Sequence, residues 1–266
     1  MKALLLSLTL FLSTALFAQE HRSEIHCKHF FYGYPYGTPA TNDLIIRDIY
    51  ALSNNDSTKF ADWVAYRLSM HEVDGDLSVH RKWKADPWLD EDETLEPKDY
   101  DGASAALDVD RGHQAPLAAF KGSRHASHSN YLSNITPQPK DLNQRSWKEL
   151  EEMIRDVVND GNTVYVMTGP LYERAMDSLP NADEAHQVPS GYWKVVCMDN
   201  GNSINVAAFI FDAATPSNAE VKDQLTTIDA VELRSGLDIL WMLEDSKEAT
   251  LENAMDNAFA EEYFGL

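Results

Sequence analysis

The sequence is short of cations, of cysteines and of long apolar runs. Lysine and arginine number 22 against 43 aspartates and glutamates, a formal net charge of −21. Bulk charge of that sign argues against a simple polyanion binder. The average conceals a distribution. Arg81 to Arg155 hold 11 of the 22 cations beside 14 acids, whereas Ala213 to Leu266 hold 12 acids and 3 cations. The acids are concentrated at the C-terminal end, and a locally basic surface remains open to the middle of the chain. With only Cys27 and Cys197 present, a disulfide-stapled scaffold and a cysteine-built zinc ribbon are excluded. No Gly-x-Ser-x-Gly element occurs, which removes the serine-hydrolase elbow. No internal repeat is present, which removes a solenoid.

The one long apolar stretch, Ala3 to Phe17, follows Met1-Lys2 and leads into Ala18-Gln19-Glu20. A basic start, a short apolar core and a small residue at the cut predict a secretory signal, residues 1–18, and an exported protein, extracellular or periplasmic. The remaining 248 residues, 19–266, suffice for one domain with an ample core. No later segment offers the ~18 consecutive apolar residues of a spanning helix, so no membrane partner is expected. An oxidising compartment predicts a bridge between Cys27 and Cys197.

Periodicity along the chain predicts an α+β fold, a central, mostly antiparallel sheet flanked by helices. Residues 20–41 are aromatic and turn-rich, including Tyr32-Gly33-Tyr34-Pro35-Tyr36-Gly37, and suit an irregular strap packed on the domain better than a base-stacking platform. Leu44 to Ala51 reads as a strand and Phe60 to Leu68 as a strand or short helix. Asp86 to Asp101 reads as a solvated loop. Ala105 to Val109 reads as a short β-like stretch delivering a turn at Asp110-Arg111-Gly112-His113, and Lys121 to Asn143 as a long polar loop of the kind that carries function. Ser146-Trp147-Lys148-Glu149 has the form of a capping box opening a helix to about Asn159. Its apolar positions Trp147, Leu150, Ile154, Val157 and Val158 recur at helical spacing. Glu151 and Arg155, four apart, share a face off that stripe. Thr163 to Met167, Tyr192 to Met198 and Asn205 to Phe211 are β-rich runs. A last amphipathic helix is expected at about Ala219 to Thr226 or later, then an acidic helical tail after Glu244.

Val109-Asp110-Arg111-Gly112-His113-Gln114-Ala115-Pro116, then Tyr131-Leu132-Ser133-Asn134-Ile135-Thr136-Pro137-Gln138, then Asp141-Leu142-Asn143-Gln144 together closely resemble the DNA/RNA non-specific endonucleases of the Serratia type. Thr58 to Tyr66, Thr168 to Arg174 and Tyr192 to Val196 extend the resemblance over roughly Ile45 to Leu240. It implies a ββα-metal (His-Me finger) active site and a Mg²⁺-dependent endonuclease, with Mn²⁺ able to substitute. The substrates implied are single- and double-stranded DNA and RNA, cut with little regard for sequence to 5′-phosphate products.

Carried over position by position, His113 is implied as the general base that activates water, and Asn143 as the sole protein ligand of the ion. Glu151 is implied to steady the ion's hydration shell. Arg155 is implied to contact phosphate, and Arg81, in His80-Arg81-Lys82-Trp83-Lys84, to stabilise transition-state charge. Asp110, Arg111 and Asn134 are implied to shape the motif's turn, its phosphate contacts and its hydrogen bonding.

The helix argument reaches Glu151 and Arg155 independently, although such a pair alone is usually a surface ion pair. His125-Ala126-Ser127-His128 and His26-Cys27-Lys28-His29 have short metal-like spacings but no second ligand pair, and read as loop residues rather than a zinc site. Asn134-Ile135-Thr136 is a glycosylation sequon better explained by the family motif. The family pattern has two local disulfides that this sequence lacks. Monomer and homodimer both remain open. A secreted nucleic-acid-binding protein without catalysis, or a phosphodiesterase of small nucleotides, are the competing readings.

Overall fold

In Ala61–Leu68, Trp63 and Ala65 alternate with Val64, Tyr66 and Leu68, and an extended chain sends the two sets to opposite faces. Trp193, Val195 and Cys197 alternate in the same way with Tyr192, Val196 and Met198. Strands apolar on both sides must be covered on both sides. The computed structural model, which describes residues 22–266, meets that requirement with a sheet between two helical layers. The signal sequence expected at residues 1–18 lies outside the described residues.

The chain runs through β1 (Asp43–Ile46), β2 (Ala51–Asn54), β3 (Ala61–Leu68), α1 (Met70–Val73), α2 (Ala103–Ala106), β4 (Val109–His113) and β5 (Ile135–Pro139). It continues through α3 (Lys140–Asn143), α4 (Ser146–Asn159), β6 (Val164–Leu171), β7 (Gly191–Asp199), β8 (Ile204–Asp212) and β9 (Leu225–Thr226), and ends in α5 (Ile228–Ser235), α6 (Asp245–Asn253) and α7 (Asn257–Phe259). Seven strands form one sheet in the order β1-β2-β3-β6-β7-β8-β9, and every pairing in it is antiparallel. The pair β4-β5 stands apart. It lies, with α3 and α4, in the connection between β3 and β6, which are neighbours in the sheet.

One face packs Val64, Tyr66, Val166, Tyr192, Val196 and Phe209 against Trp147, Leu150, Ile154, Val157 and Val158 of α4. The buried stripe of α4 is therefore the one its spacing predicts. The other face packs Trp63, Met167, Trp193 and Cys197 against Ile228 and Val231 of α5 and against Phe31. Phe30, Tyr34, Trp63 and Trp241 interlock along that side, so the aromatic strap packs on the domain, with Tyr32 left exposed.

Several local expectations are corrected. Leu44 to Ala51 is not one strand but the hairpin β1-β2. Arg47 N donates to Tyr50 O at 2.8 Å across the turn, while its guanidinium turns inward to the buried carboxylate of Asp86. Residues 105–108 are the end of α2 and a tight turn, with Asp108 at φ 55, and the Asp-Arg-Gly-His motif is no turn but, with Val109, strand β4. The passage 121–143 is not a loop, because β5 and α3 occupy its second half. Its Ser129, Ser133, Asn134 and Gln138 are buried polar groups.

The capping box is not formed either. Arg145 occupies the N-cap position of α4 without a side-chain cap, Ser146 is buried inside the first turn, and its Oγ has no partner. Residues 221–226 form a 3-10 turn and β9, and the helix that follows is α5, which buries only Ile228 and Val231, accepts a cap from Ala230 N on Thr227 Oγ1 at 3.1 Å and is ended by Gly236 at φ 75. The cysteines are both free: Cys197 is buried in β7 and Cys27 half-buried in the strap. The acidic tail forms α6 as expected.

Leu150 is 0% exposed at the centre of the α4 stripe, whereas Leu233 on α5 is 87% exposed. Leu150→Ala is expected to cost about 2–5 kcal/mol in urea unfolding, and Leu233→Ala less than about 0.5 kcal/mol.

Candidate active site

Two adjacent strands and the helix that follows them fix the relative positions of the motif residues. β4 pairs with β5 so that Gly112 faces Thr136 and His113 faces Ile135. A Cβ on Gly112 would lie 2.4 Å from Gln138 Oε1 and 2.6 Å from Gln138 Cβ, closer than packed atoms come. The motif glycine is thus a requirement of the strand pairing. β5 passes into α3 at Lys140 without a loop, and α3 delivers Asn143 beside β4.

Asn134 is 0% exposed. Its side chain accepts from Ala115 N at 2.9 Å and donates to Ala115 O at 2.9 Å and Ser129 O at 2.8 Å. It clamps the chain that leaves His113 and does not line the cleft; that burial also closes the sequon to modification of the folded chain.

The other seven residues singled out by sequence, Arg81, Asp110, Arg111, His113, Asn143, Glu151 and Arg155, line one open cleft of about 870 Å³. His113 Nε2 lies 3.1 Å from Asn130 Oδ1, and the ring rests against Trp83 at 5.3 Å between centroids. With a carbonyl oxygen as its partner, Nε2 carries the ring proton and Nδ1 keeps the lone pair. Burial depresses the imidazole to about 4, and the nearby Arg81 charge adds to this, while the Asn130 bond opposes it. At neutral pH the ring is an uncharged base.

Asn143 Nδ2 donates to Asp110 Oδ2 at 2.9 Å, and Gln144 Nε2 donates to the same oxygen at 2.7 Å. The amide nitrogen is thereby committed, which leaves Asn143 Oδ1 as the available donor atom. It lines the cleft with the carboxylates of Asp110 and Glu151, and oxygen donors of this kind suit a hard divalent ion and not zinc.

Glu151 is pushed up to about 7 by burial, against the opposing charges of Lys194 and Arg155. Lys194, on β7, is 0% exposed, and its Nζ has no hydrogen-bond partner. The Nζ lies 4.2 Å from the centroid of a Trp147 ring. Burial lowers it to about 8, and the Glu151 carboxylate resists that fall. A lysine inside the otherwise apolar run Tyr192 to Met198 was the available signal for this residue, since buried lysines are rare unless paired.

Arg111 donates to Pro97 O at 3.0 Å and lies beside the Tyr100 and Trp83 rings. Arg81 sits on an irregular segment that is pinned where Leu132 N donates to Lys84 O at 2.9 Å, next to Asn130. Arg155 projects from α4, 3.8 Å from Glu152. With Lys121 and Lys148, five cations line the cleft against the carboxylates of Asp110, Glu151 and Glu152. The local sign is opposite to that of the chain.

His26, Cys27, His29 and His128 line a separate cavity of about 460 Å³ with Arg47 and Trp88. Among the described residues no histidine or cysteine belongs to a group of three or more His, Cys, Asp or Glu with ligand atoms within 4.8 Å of one another. Sequence reasoning missed Asn130, Gln144 and Lys194, each of which acts on a residue it did identify.

The sequence matches the family model of the DNA/RNA non-specific endonucleases over residues 30–246. It is 47% identical over 218 residues to the nuclease of Serratia marcescens, covering 80% of this chain and 81% of that one. It is 28% identical over 214 residues to human mitochondrial endonuclease G, covering 76% and 71%. Among solved structures, a chain of the EndoG/EndoGI complex superposes with a TM-score of 0.68 at 21% identity, covering 81% of this chain and 91% of that chain. That likeness is one of fold.

In an NMR titration His113 is expected to protonate near pH 4 instead of 6.5. Because its folded pKa lies below the unfolded value, the stability it contributes is complete above about pH 6.5 and lost as pH falls through about 4. A ring titrating at 6 or above would contradict the enclosed environment.

Proposed function

The chain belongs to the DNA/RNA non-specific endonuclease family and is therefore a metal-dependent endonuclease; from that premise we propose that it is exported after cleavage at Ala18 as a single nuclease domain, residues 19–266. There, in the presence of Mg²⁺, it hydrolyses internal phosphodiester bonds of DNA and RNA, single- and double-stranded. The observation that carries this reading is the convergence of a neutral His113, an oxygen donor set around Asn143 and five cations in one cleft.

His113 Nδ1 takes the proton of the attacking water as its oxygen closes on phosphorus. The P–O3′ bond breaks, and the products are a 5′-phosphate and, after protonation from solvent, a 3′-hydroxyl. Arg81 and Arg155 supply positive charge to the phosphate as negative charge builds. Asn143 Oδ1 would hold the cation, with Asp110 fixing the amide and Glu151 ordering its hydration. When bound, the ion supplies Lewis-acid stabilisation of charge on the phosphate and leaving oxygens. Lys194 acts through Glu151 as a positioning residue, keeping that carboxylate ionised. Contacts confined to backbone phosphate explain cutting without regard to base sequence.

Purified protein is expected to cut plasmid DNA and RNA with Mg²⁺, to stop with chelator and to resume with Mg²⁺ or Mn²⁺. Binding without cleavage would leave a binding protein, and turnover of small nucleotides alone a narrower phosphodiesterase. His113→Ala and Asn143→Ala are each expected to lower kcat by ~10²–10⁴ with unchanged circular dichroism, and near-wild-type rates in either would overturn the assignment.

At low ionic strength the distant acids repel substrate, and at a Debye length of about 8 Å they are screened. Activity on DNA is therefore expected to hold or rise as monovalent salt is first added, and to fall only at higher salt. A steep decline from the lowest salt onward would count against a locally basic cleft on an acidic protein.

A further inference from the structure

Helices α5 and α6 meet through acids. Asp229 and Glu232 stand on α5, Glu248 and Glu252 on α6, and Asp238 on the connection between them. Carboxylate oxygens of Asp229, Glu232 and Glu252 lie within 4.8 Å of one another. Those of Asp238, Glu248 and Glu252 do the same, so Glu252 belongs to both groups. A Ca²⁺–oxygen bond is about 2.4 Å, and oxygens spread over twice that length can share one ion.

Glu252 is the buried member of both groups. It is 8% exposed, and its Oε1, closed off from solvent, meets no hydrogen-bond donor. It is also the only buried side chain of α6. Leu251 packs at the edge of the core, and beside it the helix turns a carboxylate inward, toward other carboxylates.

Little on the chain answers that charge. Among the described residues the only cation paired with any of the five is Arg22, 2.7 Å from Asp238. Asn253 Nδ2 donates to Asp229 Oδ2 at 3.1 Å and Ile239 N to Glu232 Oε1 at 2.6 Å, which fixes two carboxylates in place. Burial and then the neighbouring carboxylates push Glu252 up to about 8, and burial is the main cause that takes Glu232 to about 7. The arrangement is costly as it stands and would be relieved by a cation.

We propose that Asp229, Glu232 and Glu252 form a binding site for Ca²⁺, separate from the nuclease cleft and flanked by Asp238 and Glu248, and that the ion clamps α6 onto α5. Ca²⁺ accepts six to eight oxygens in flexible geometry, whereas Mg²⁺ demands a tighter octahedron and gives up water reluctantly. An all-carboxylate cluster on two helices suits the larger ion.

The test is thermal unfolding of the full chain after chelator treatment, with CaCl₂ added back, in wild type, Glu252→Gln, Asp229→Asn and Asn143→Ala, the last to silence the cleft. Saturating Ca²⁺ is expected to raise Tm by roughly 5–10 °C in wild type and in Asn143→Ala. The rise should vanish in Glu252→Gln and shrink in Asp229→Asn. Glu252→Gln removes one of the mutually repelling charges, so its Tm without Ca²⁺ should equal or exceed that of wild type, which separates a lost response from a lost fold. If Glu252→Gln does not fold, Asp229→Asn, at an exposed position, decides: a reduced rise supports the site and an undiminished one overturns it. No rise in wild type, a rise that survives Glu252→Gln, or a rise that disappears in Asn143→Ala overturns it as well.

Discussion

The cleft depends on one constraint, the antiparallel register of β4 against β5. It sets Gly112 against Thr136 and His113 against Ile135, and it tolerates no side chain at Gly112, because Gln138 occupies the space. β5 runs into α3 without a loop, so the register that fixes His113 also fixes where Asn143 emerges. The Asp110–Asn143 hydrogen bond then closes the unit from strand to helix. A slip of one residue would turn His113 to the opposite face and leave Asp110 out of reach of the amide. Geometry of this kind is carried by rigid elements, which is why a hairpin inserted between two central strands can hold a reactive constellation.

Electrostatics inside the cleft follow from the same packing. α4 lies on the sheet face that carries Lys194, so the helix that presents Glu151 and Arg155 to the cleft also sits over a buried ammonium. Trp147 from the apolar stripe packs against that ammonium, and Glu151 answers its charge. The charge of each shifts the other, Glu151 holding the ammonium up and Lys194 holding the carboxyl down, so the cleft cannot be described by its lining residues alone. The net charge of −21 acts at a distance that salt screens, whereas five cations act at the cleft wall.

Legibility in the sequence followed burial by apolar side chains. The stripe of α4 and the runs that became β6, β7 and β8 were readable because their periods report what they face. The passage 121–143 was not. Its interior is built from Ser129, Asn130, Ser133, Asn134 and Gln138, which are buried with polar partners or against strand backbone and so show no hydrophobic period. The capping box at Ser146 failed because α3 runs almost directly into α4 and leaves no free helix start to cap. The split of β1 from β2 was hidden by Arg47, a charge buried by its ion pair with Asp86 and stacked at 3.9 Å on the Trp88 ring. Site residues carried by contiguous motifs were legible. Asn130 and Lys194 lie outside the motif positions that touch the cleft and act through His113 and Glu151, so only folding reveals their relation.

Burial drives the cleft's two central groups in opposite directions. It depresses His113 to about 4 and raises Glu151 to about 7, because a low-dielectric wall disfavours the charged form of each: imidazolium in one case and carboxylate in the other. For the proposed base this keeps the imidazole uncharged at neutral pH, at the cost of some basicity. For a carboxylate that must stay ionised beside a cation it is a cost, and Lys194 and Arg155 oppose it from either side. A cleft that needs a neutral base and a charged acid side by side, both partly desolvated, must add positive charge near the acid while leaving the base to desolvation. Placing Lys194 on the sheet behind Glu151, with Arg81 near His113 acting in the same direction as burial, satisfies both demands at once.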